Sequence, residues 1–321
     1  MTRGSRQYWP HRRAQKRMPR VRSYMQRSQI PKITNFVGFK VGMTNITVID
    51  DSEAPSKQQE VERACTIVEI PEIELYGMRL YSKNKFTGYI QSTTEIYDKK
   101  IAEKLHIKKI KFDESKLEEI KGKLDNYVDV SALLVAYPKS INVEQKHPMR
   151  FESHINAKTL LEKFEYVQNQ MGKQINISDV FKNGEYIDVA SITQGKGWQG
   201  VIKRYGVARL PHKATQKIRH MAPLGSFGMG RVLYTVPRAG QMGFNYRTEK
   251  NKRIIKMGDK STIAQINKPG GYIHYGNVSN NYVIIDGSLP GPAKRLVRLR
   301  EGMNRYNNKG IKEPKIIGIT L

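Results

Sequence analysis

The chain has 321 residues, enough for one large hydrophobic core or two smaller ones. Its 56 Lys and Arg against 29 Asp and Glu leave a formal net charge of +27, and Cys65 is its single cysteine. That inventory excludes an intramolecular disulfide framework and a cysteine metal cluster. No apolar run approaches the roughly 20 residues of a membrane span, and no apolar stretch follows the basic N-terminus as a secretory signal would require, so a cytoplasmic protein is expected.

The charge is unevenly spread. Residues 1–49 hold eleven Lys and Arg and no acid, and residues 50–188 hold 21 basic and 24 acidic residues. Residues 189–248 hold ten cations and no acid, 249–286 six cations and three acids, and 287–321 eight and two. The excess therefore sits in an N-terminal arm, a central stretch and a C-terminal tail, around a body close to neutrality. Charge segregated in this way marks extensions that meet a nucleic acid.

Taken in order, residues 1–35 form a basic arm without a sustained apolar period, which cannot offset its own ordering entropy and is expected to be disordered alone. Its Tyr8, Trp9, His11 and Tyr24 suit ordering on RNA, where aromatic rings and arginines stack on bases. Phe36–Ile49 and Val61–Ile70 read as strands by β-branching, with Gly38 and Gly42 marking bends or close backbone approaches and Pro71 a stop. Residues 72–185 read as an α+β insert. Within it, Asp113 caps a helix bearing Leu117, Ile120 and Leu124. Val130–Tyr137 is a buried strand, and Asn156–Met171 is a helix by the period of Ala157, Leu160, Leu161, Phe164, Val167 and Met171, stopped by Gly172. Tyr186–Thr193 returns to strand. Ser261–Ile266, Tyr272–Tyr275 and Tyr282–Asp286 read as three short strands separated by turns. A mainly β fold follows: residues 36–71, 186–194 and 255–290 form a closed antiparallel barrel, because closure removes exposed edges. Residues 195–254 form a basic central extension and 291–321 a basic tail.

The central extension carries the chemistry. Nine glycines and six aromatics punctuate residues 189–248, which cannot supply their own counter-ions. Gly195-Lys196-Gly197-Trp198-Gln199-Gly200 matches GxGxxG after a strand, but a dinucleotide site needs an acid about 20 residues on, and none occurs before Glu249. The glycines instead let the backbone approach something closely. No GxxxxGK[ST] loop is present, the seven histidines show no metal spacing, and no catalytic group is assembled, so neither cofactor nor enzyme is expected. Cys65 reads as a buried small hydrophobe. Candidate RNA contacts are Arg12, Arg13, Lys16, Arg17, Arg20 and Arg22 in the arm. In the extension they are Lys196, Lys203, Arg204, Arg209, His212, Lys213, Lys217, Arg219, His220, Arg231, Arg238, Gln241, Arg247, Lys250, Lys252 and Arg253, with Trp198 and Phe227 as stacking groups. An RNA-modifying enzyme would need a cofactor pocket or an activated nucleophile. A chromatin-like binder of duplex DNA is allowed by composition alone.

Several motifs, in order, are similar to one family. They are Phe36–Thr44, Val189–Val201, Leu224–Phe227 with Arg231-Val232, Val236–Lys252, Gly287–Pro292 and Arg295–Arg300. The chain resembles the universal ribosomal protein three of the large subunit, in its archaeal form, over nearly its whole length and least in 72–185. The resemblance implies a translation-protein-type β-barrel on the subunit surface, with an arm and central extension reaching into 23S rRNA. It also implies early rRNA binding that nucleates subunit assembly, an extension directed toward the peptidyl-transferase centre, and large-subunit proteins fourteen and twenty-four-e as neighbours. No membrane and no homo-oligomer are implied. Relatives carry Trp at the extension tip where this chain has Phe227, which keeps a stacking face and lacks the indole N–H donor.

Overall fold

Residues Pro19–Ser191 with Thr248–Leu321 make up one unit of the chain, and Met1–Met18 with Ile192–Arg247 the other. The computed structural model describes residues 5–24, 31–107, 114–213, 218–221, 224–225, 230–304 and 312–320. In chain order the strands are β1 (Lys32–Ile33), β2 (Asn35–Ile49), β3 (Glu60–Glu69), β4 (Glu72–Lys83), β5 (Ile90–Tyr97), β6 (Asp129–Tyr137), β7 (Met149–Asn156) and β8 (Tyr186–Ile192). They continue with β9 (Trp198–Gln199), β10 (Gly240–Gln241), β11 (Tyr246–Gly258), β12 (Tyr282–Asp286), β13 (Leu296–Glu301) and β14 (Ile316–Thr320). The helices are α1 (Lys99–Lys104), α2 (Glu114–Gly122), α3 (Leu160–Gln170) and α4 (Val201–Tyr205). The fold is mainly β, as the sequence leads one to expect.

The larger unit holds two antiparallel sheets. The first has the order β1-β7-β6-β4-β5. Its central strand β6 (DVSALLVAY) is buried along nearly its whole length, which requires cover on both faces because strand side chains alternate. Leu133 and Val135 pack with Tyr76, Tyr97 and the α1 residues Ile101 and Ala102, and α3 also packs on β6.

The second sheet has the order β13-β8-β11-β12-β3-β2-β14, with an additional pairing between β13 and β2. Strand β13 is thus paired on both sides, Val297 lying opposite Ser191 of β8 and Gly38 of β2. Gly38 is needed for a close approach, since a Cβ there would lie 2.4 Å from Val68 Cγ1. The core of this sheet gathers Val41, Ile46, Val48, Cys65, Ile67, Ile255 and Ile284 with Ile266, Tyr272, Tyr275, Val278 and Tyr282. Burial pushes the Cys65 thiol up to about 12, which removes it as a nucleophile at neutral pH. Glu69, wholly buried, ties the following loop down. Its carboxylate accepts from the Tyr275 hydroxyl, from the backbone N–H of Ser279 at 2.7 Å and from that of Asn280 at 2.8 Å.

Several elements differ from expectation. The helix in the insert starts at Leu160, because Thr159 accepts from Glu162 N–H at 3.3 Å as its cap, while Asn156 closes β7 opposite Lys32. Ser261–Ile266 is mostly a 3-10 helix, Lys260–Gln265. Tyr272–Tyr275 is a tight turn closed by a bridge from Tyr272 to Gly276. Ile266, Tyr272 and Tyr275 are apolar because turns carry them into the core, and not because they form a ladder. Strands β13 and β14 lie in the stretch expected as a tail, and β11 begins within the expected extension. Asp113, the expected cap of α2, lies outside the described residues.

Candidate nucleic-acid interface

The smaller unit is built around a two-legged ladder. Residues 193–199 run against 240–245: Thr193 N–H donates to Asn245 O at 3.0 Å, Lys196 N–H to Met242 O at 2.9 Å, and Met242 N–H to Gly197 O at 2.9 Å. β9 and β10 continue the same pairing. Of the GxGxxG glycines, Gly197 is set by its positive φ of +66°, whereas a Cβ at Gly197 or Gly200 would meet nothing within 4 Å, so the close approach expected there is not found at those positions. On the return leg, Gly243 has φ +70°, and a Cβ would lie 2.0 Å from Gln194 O, so only glycine fits. Beyond the ladder α4 ends at Gly206 in the left-handed region.

The N-terminal arm packs on this unit's return leg. Ala14 N–H donates to Phe244 O at 2.8 Å, the Asn245 side-chain amide to Arg12 O at 3.2 Å, and the Tyr246 hydroxyl to Lys16 O at 3.2 Å. Trp9 sits in an aromatic cluster with His11 (5.5 Å between ring centres), Tyr205 (6.3 Å) and Tyr234 (5.7 Å). Burial and the Arg204 and Arg247 guanidinium groups lower the His11 pKa, which favours its neutral imidazole. Tyr8 lies under Arg247, whose guanidinium is 4.2 Å from the ring centre. In the larger unit, Tyr24 stacks on His154 at 4.9 Å. These aromatics, expected to stack on bases, pack against the protein itself. Local sequence carries no sign of that, because Tyr205, Tyr234, Arg247 and His154 are distant along the chain from the arm residues they meet.

Some expected RNA contacts have internal work. Arg204 donates to Gln241 O at 3.1 Å and Arg238 O at 2.8 Å, clamping the return leg. The Gln241 amide donates to Met242 O and Gly243 O, and Arg247 to Tyr246 O. Lys252 pairs with Glu249 at 3.0 Å. Arg253 departs furthest: it is buried, and its two terminal nitrogens meet the two Asp51 oxygens at 2.6 and 2.5 Å. A fork engaged in this way offers nothing to a phosphate.

The others are open. In the smaller unit Arg12, Arg13, Lys16, Arg17, Lys196, Lys203, Arg209, His212, Lys213, Arg219, His220, Arg231 and Arg238 are all exposed. Arg20, Arg22 and Lys250 are exposed in the larger unit. Trp198, on β9 two residues from Lys196, is 76% exposed. Lys217 and Phe227 lie outside the described residues.

Strand β13 shows what the sequence hid. Arg298 and Arg300 are buried. Arg298 lies 5.5 Å from the Phe151 ring centre and donates to Asn35 Oδ1 at 3.2 Å, to the Glu152 carbonyl and to Pro19 O at 3.4 Å. Arg300 pairs with Asp188 at 2.7 Å and donates to Ser23 O and Oγ at 2.8 Å. Lys40 likewise grips Leu289 O at 2.6 Å and Gly291 O at 3.0 Å. Arg298 and Arg300 are in this respect architectural. The signal was their alternation with Val297 and Leu299, a strand period.

Among the described residues no group of three or more His, Cys, Asp or Glu side chains could hold a metal ion, and no helix is long and apolar enough to cross a membrane. The molecule is a β-sheet protein with an acid-free, cation-bearing segment inserted in its sequence. The family model described as ribosomal protein L3 matches residues 2–317. Large ribosomal subunit protein uL3 of Methanosphaera stadtmanae is 36% identical over 98% of this chain and 94% of its own length. The uL3 proteins of Methanothermobacter thermautotrophicus (37%, 98% and 94%) and Methanocaldococcus jannaschii (36%, 99% and 95%) are similar to the same extent. The chain belongs to the ribosomal protein L3 family. It is a structural constituent of the large ribosomal subunit, in the cytoplasm, and not an enzyme.

Proposed function

We propose that the chain binds 23S rRNA directly, through the arm and the central extension. One observation carries this reading: residues 189–248 hold no acid, and most of their cations among the described residues are exposed to solvent. Phosphates are the counter-ions that fit. Arg204, Gln241 and Arg247 shape the segment from within, while Lys196, Lys203, Arg209, Lys213, Arg219, Arg231 and Arg238 meet the RNA backbone and Trp198 supplies a stacking face.

In the same reading, the double pairing of β13 closes β2, β3, β12, β11, β8 and β13 into an antiparallel barrel of the translation-protein type. The extension runs toward the peptidyl-transferase centre with Phe227 at its tip. Binding comes early enough to nucleate subunit assembly, and proteins fourteen and twenty-four-e are neighbours. These finer points rest on the likeness to the family.

Crosslinking with peptide-level readout on assembled ribosomes tests the proposal. Peptides of residues 195–238 should carry nucleotides from around the peptidyl-transferase centre. Nucleotides only on sheet peptides would overturn the role given to the extension. With about ten phosphate contacts the log–log salt slope of rRNA binding should be on the order of −7 to −9, and a slope near −2 would count equally against it. Equal affinity for duplex DNA of matched length would favour a general nucleic-acid binder.

A further inference from the structure

A second cationic, aromatic element lies outside both the arm and the extension. β4 and β5 form a hairpin whose outer end is exposed on both faces. Its turn is held by Asn84. The Asn84 carboxamide oxygen accepts from Phe86 N–H at 2.9 Å and Thr87 N–H at 3.3 Å, and its backbone pairs with Tyr89 O and Gly88 N–H, both at 2.9 Å. On this ordered turn Phe86 is 100% exposed, Tyr89 74% and Ile90 59%. Single exposed apolar side chains are ordinary, but three within five residues on a protruding two-stranded ribbon form a patch that the fold does not need for itself.

The surrounding charge says what covers it. No acid occurs from Leu75 to Thr94, although residues 50–188 as a whole hold 24 acids. Arg79 is engaged by Glu95 and Glu152, both at 2.7 Å, while Lys83 and Lys85 lie exposed on either side of Asn84. An apolar protein partner does not call for two lysines and an acid-free ribbon, and a second copy of a chain of net charge +27 is repelled. A base with its phosphates satisfies both features at once. We propose that the β4–β5 tip is a separate RNA anchor, in which Phe86 or Tyr89 stacks on an unpaired base and Lys83 and Lys85 contact the flanking phosphates. This inference rests on the chain's being an rRNA binder.

The test uses the full-length chain and 23S rRNA transcribed in vitro, titrated at several salt concentrations. Phe86→Ala with Tyr89→Ala should weaken binding about 5- to 100-fold without changing the salt slope, since stacking releases no counter-ions. Lys83→Gln with Lys85→Gln should reduce the slope magnitude by roughly 1.4–1.8. Folding should be unaffected, because these side chains project into solvent. Lys196→Gln with Arg209→Gln serves as the reference. If that pair weakens binding and the hairpin pairs do not, the hairpin proposal falls alone. If no variant matters, the rRNA reading falls with it. In assembled subunits, crosslinks from the Lys85–Tyr89 peptide to protein and none to RNA would also overturn the proposal.

Discussion

The two units of this chain reach order by opposite means. The larger is filled: strands such as β6 and β13 are buried, and charged residues such as Arg300, Arg298 and Glu69 find ion-pair or hydrogen-bond partners in the interior. In the smaller unit the buried positions, among the described residues, are Ala14, Ile192, Val201, Pro237, Gly240 and Asn245. Six scattered positions are not a core. That unit holds its course through backbone hydrogen bonds, an arginine clamp, glycine turns and an aromatic cluster. The comparison shows how a sequence can leave a segment without acids. Where burial supplies the stability, buried cations need internal acceptors, as Arg300 needs Asp188 and Arg298 the Asn35 oxygen and backbone carbonyls. On the proposed reading an outside polyanion supplies it to the smaller unit; acids there would be repelled, and the sequence omits them.

The comparison can be broken at its strongest point first. Arg300→Ala leaves Asp188, 1% exposed, without its cation, and should destabilise the larger unit by about 3–5 kcal/mol. A urea midpoint close to wild type would show that the pair contributes no net stability. Gly243→Ala places a Cβ against Gln194 O at a positive φ, a strain of roughly 1–3 kcal/mol. Because it falls in the unit without a core, it should accelerate proteolytic cleavage within 193–245 and leave the global urea midpoint unmoved; a shift in that midpoint would mean that the two units unfold together. Exposed and engaged cations should part in binding: Lys196→Gln should lower the salt-slope magnitude by roughly 0.7–0.9, whereas Arg253→Gln, which breaks a buried pair, should reduce stability and leave the slope unchanged.

The smallest expected effect is in acid. Hydrogen bonds from Ser56 and Ser52 lower the Asp50 carboxyl from 3.8 to about 2. A group with a depressed folded pKa contributes stability that is complete above its unfolded value and is lost as the pH falls through the folded one. Acid unfolding should therefore be steeper between pH 4 and 2 in the wild type than in Asp50→Asn. Residues 192–247 and 1–18 hold no carboxylate to titrate in that window, so exchange protection of the 193–245 ladder should not change through it.

The features legible in sequence were those written locally. The acid-free stretch, the β-branched runs of β2, β3 and β12, and the buried segment of β6 could be read directly. β4 was hidden by a register shift between Leu75 and Gly77, which moves the apolar phase from Ile73 and Leu75 to Met78 and Leu80 and destroys the alternation that would have announced it. β13 was hidden by arginines, since Arg298 and Arg300 look like surface charge until Asp188, Asn35 and a set of carbonyls are found around them. At the candidate site, the cationic character of the extension was plain. That Trp9 has Tyr205 and Tyr234 as neighbours, or that Arg253 belongs to Asp51, depends on contacts between residues about 200 apart, which no local pattern encodes.

The grip of Arg300 on Ser23 also has a consequence in time. The two residues are 277 positions apart in the chain. At roughly 5–20 residues per second of synthesis, about 14–55 s pass between the appearance of the serine and that of the arginine that holds it. A contact of an early segment is thus completed late. Throughout that interval Ser23 lacks the guanidinium that holds it, although partners of the arm nearer in the chain, such as His154 beside Tyr24, are made earlier.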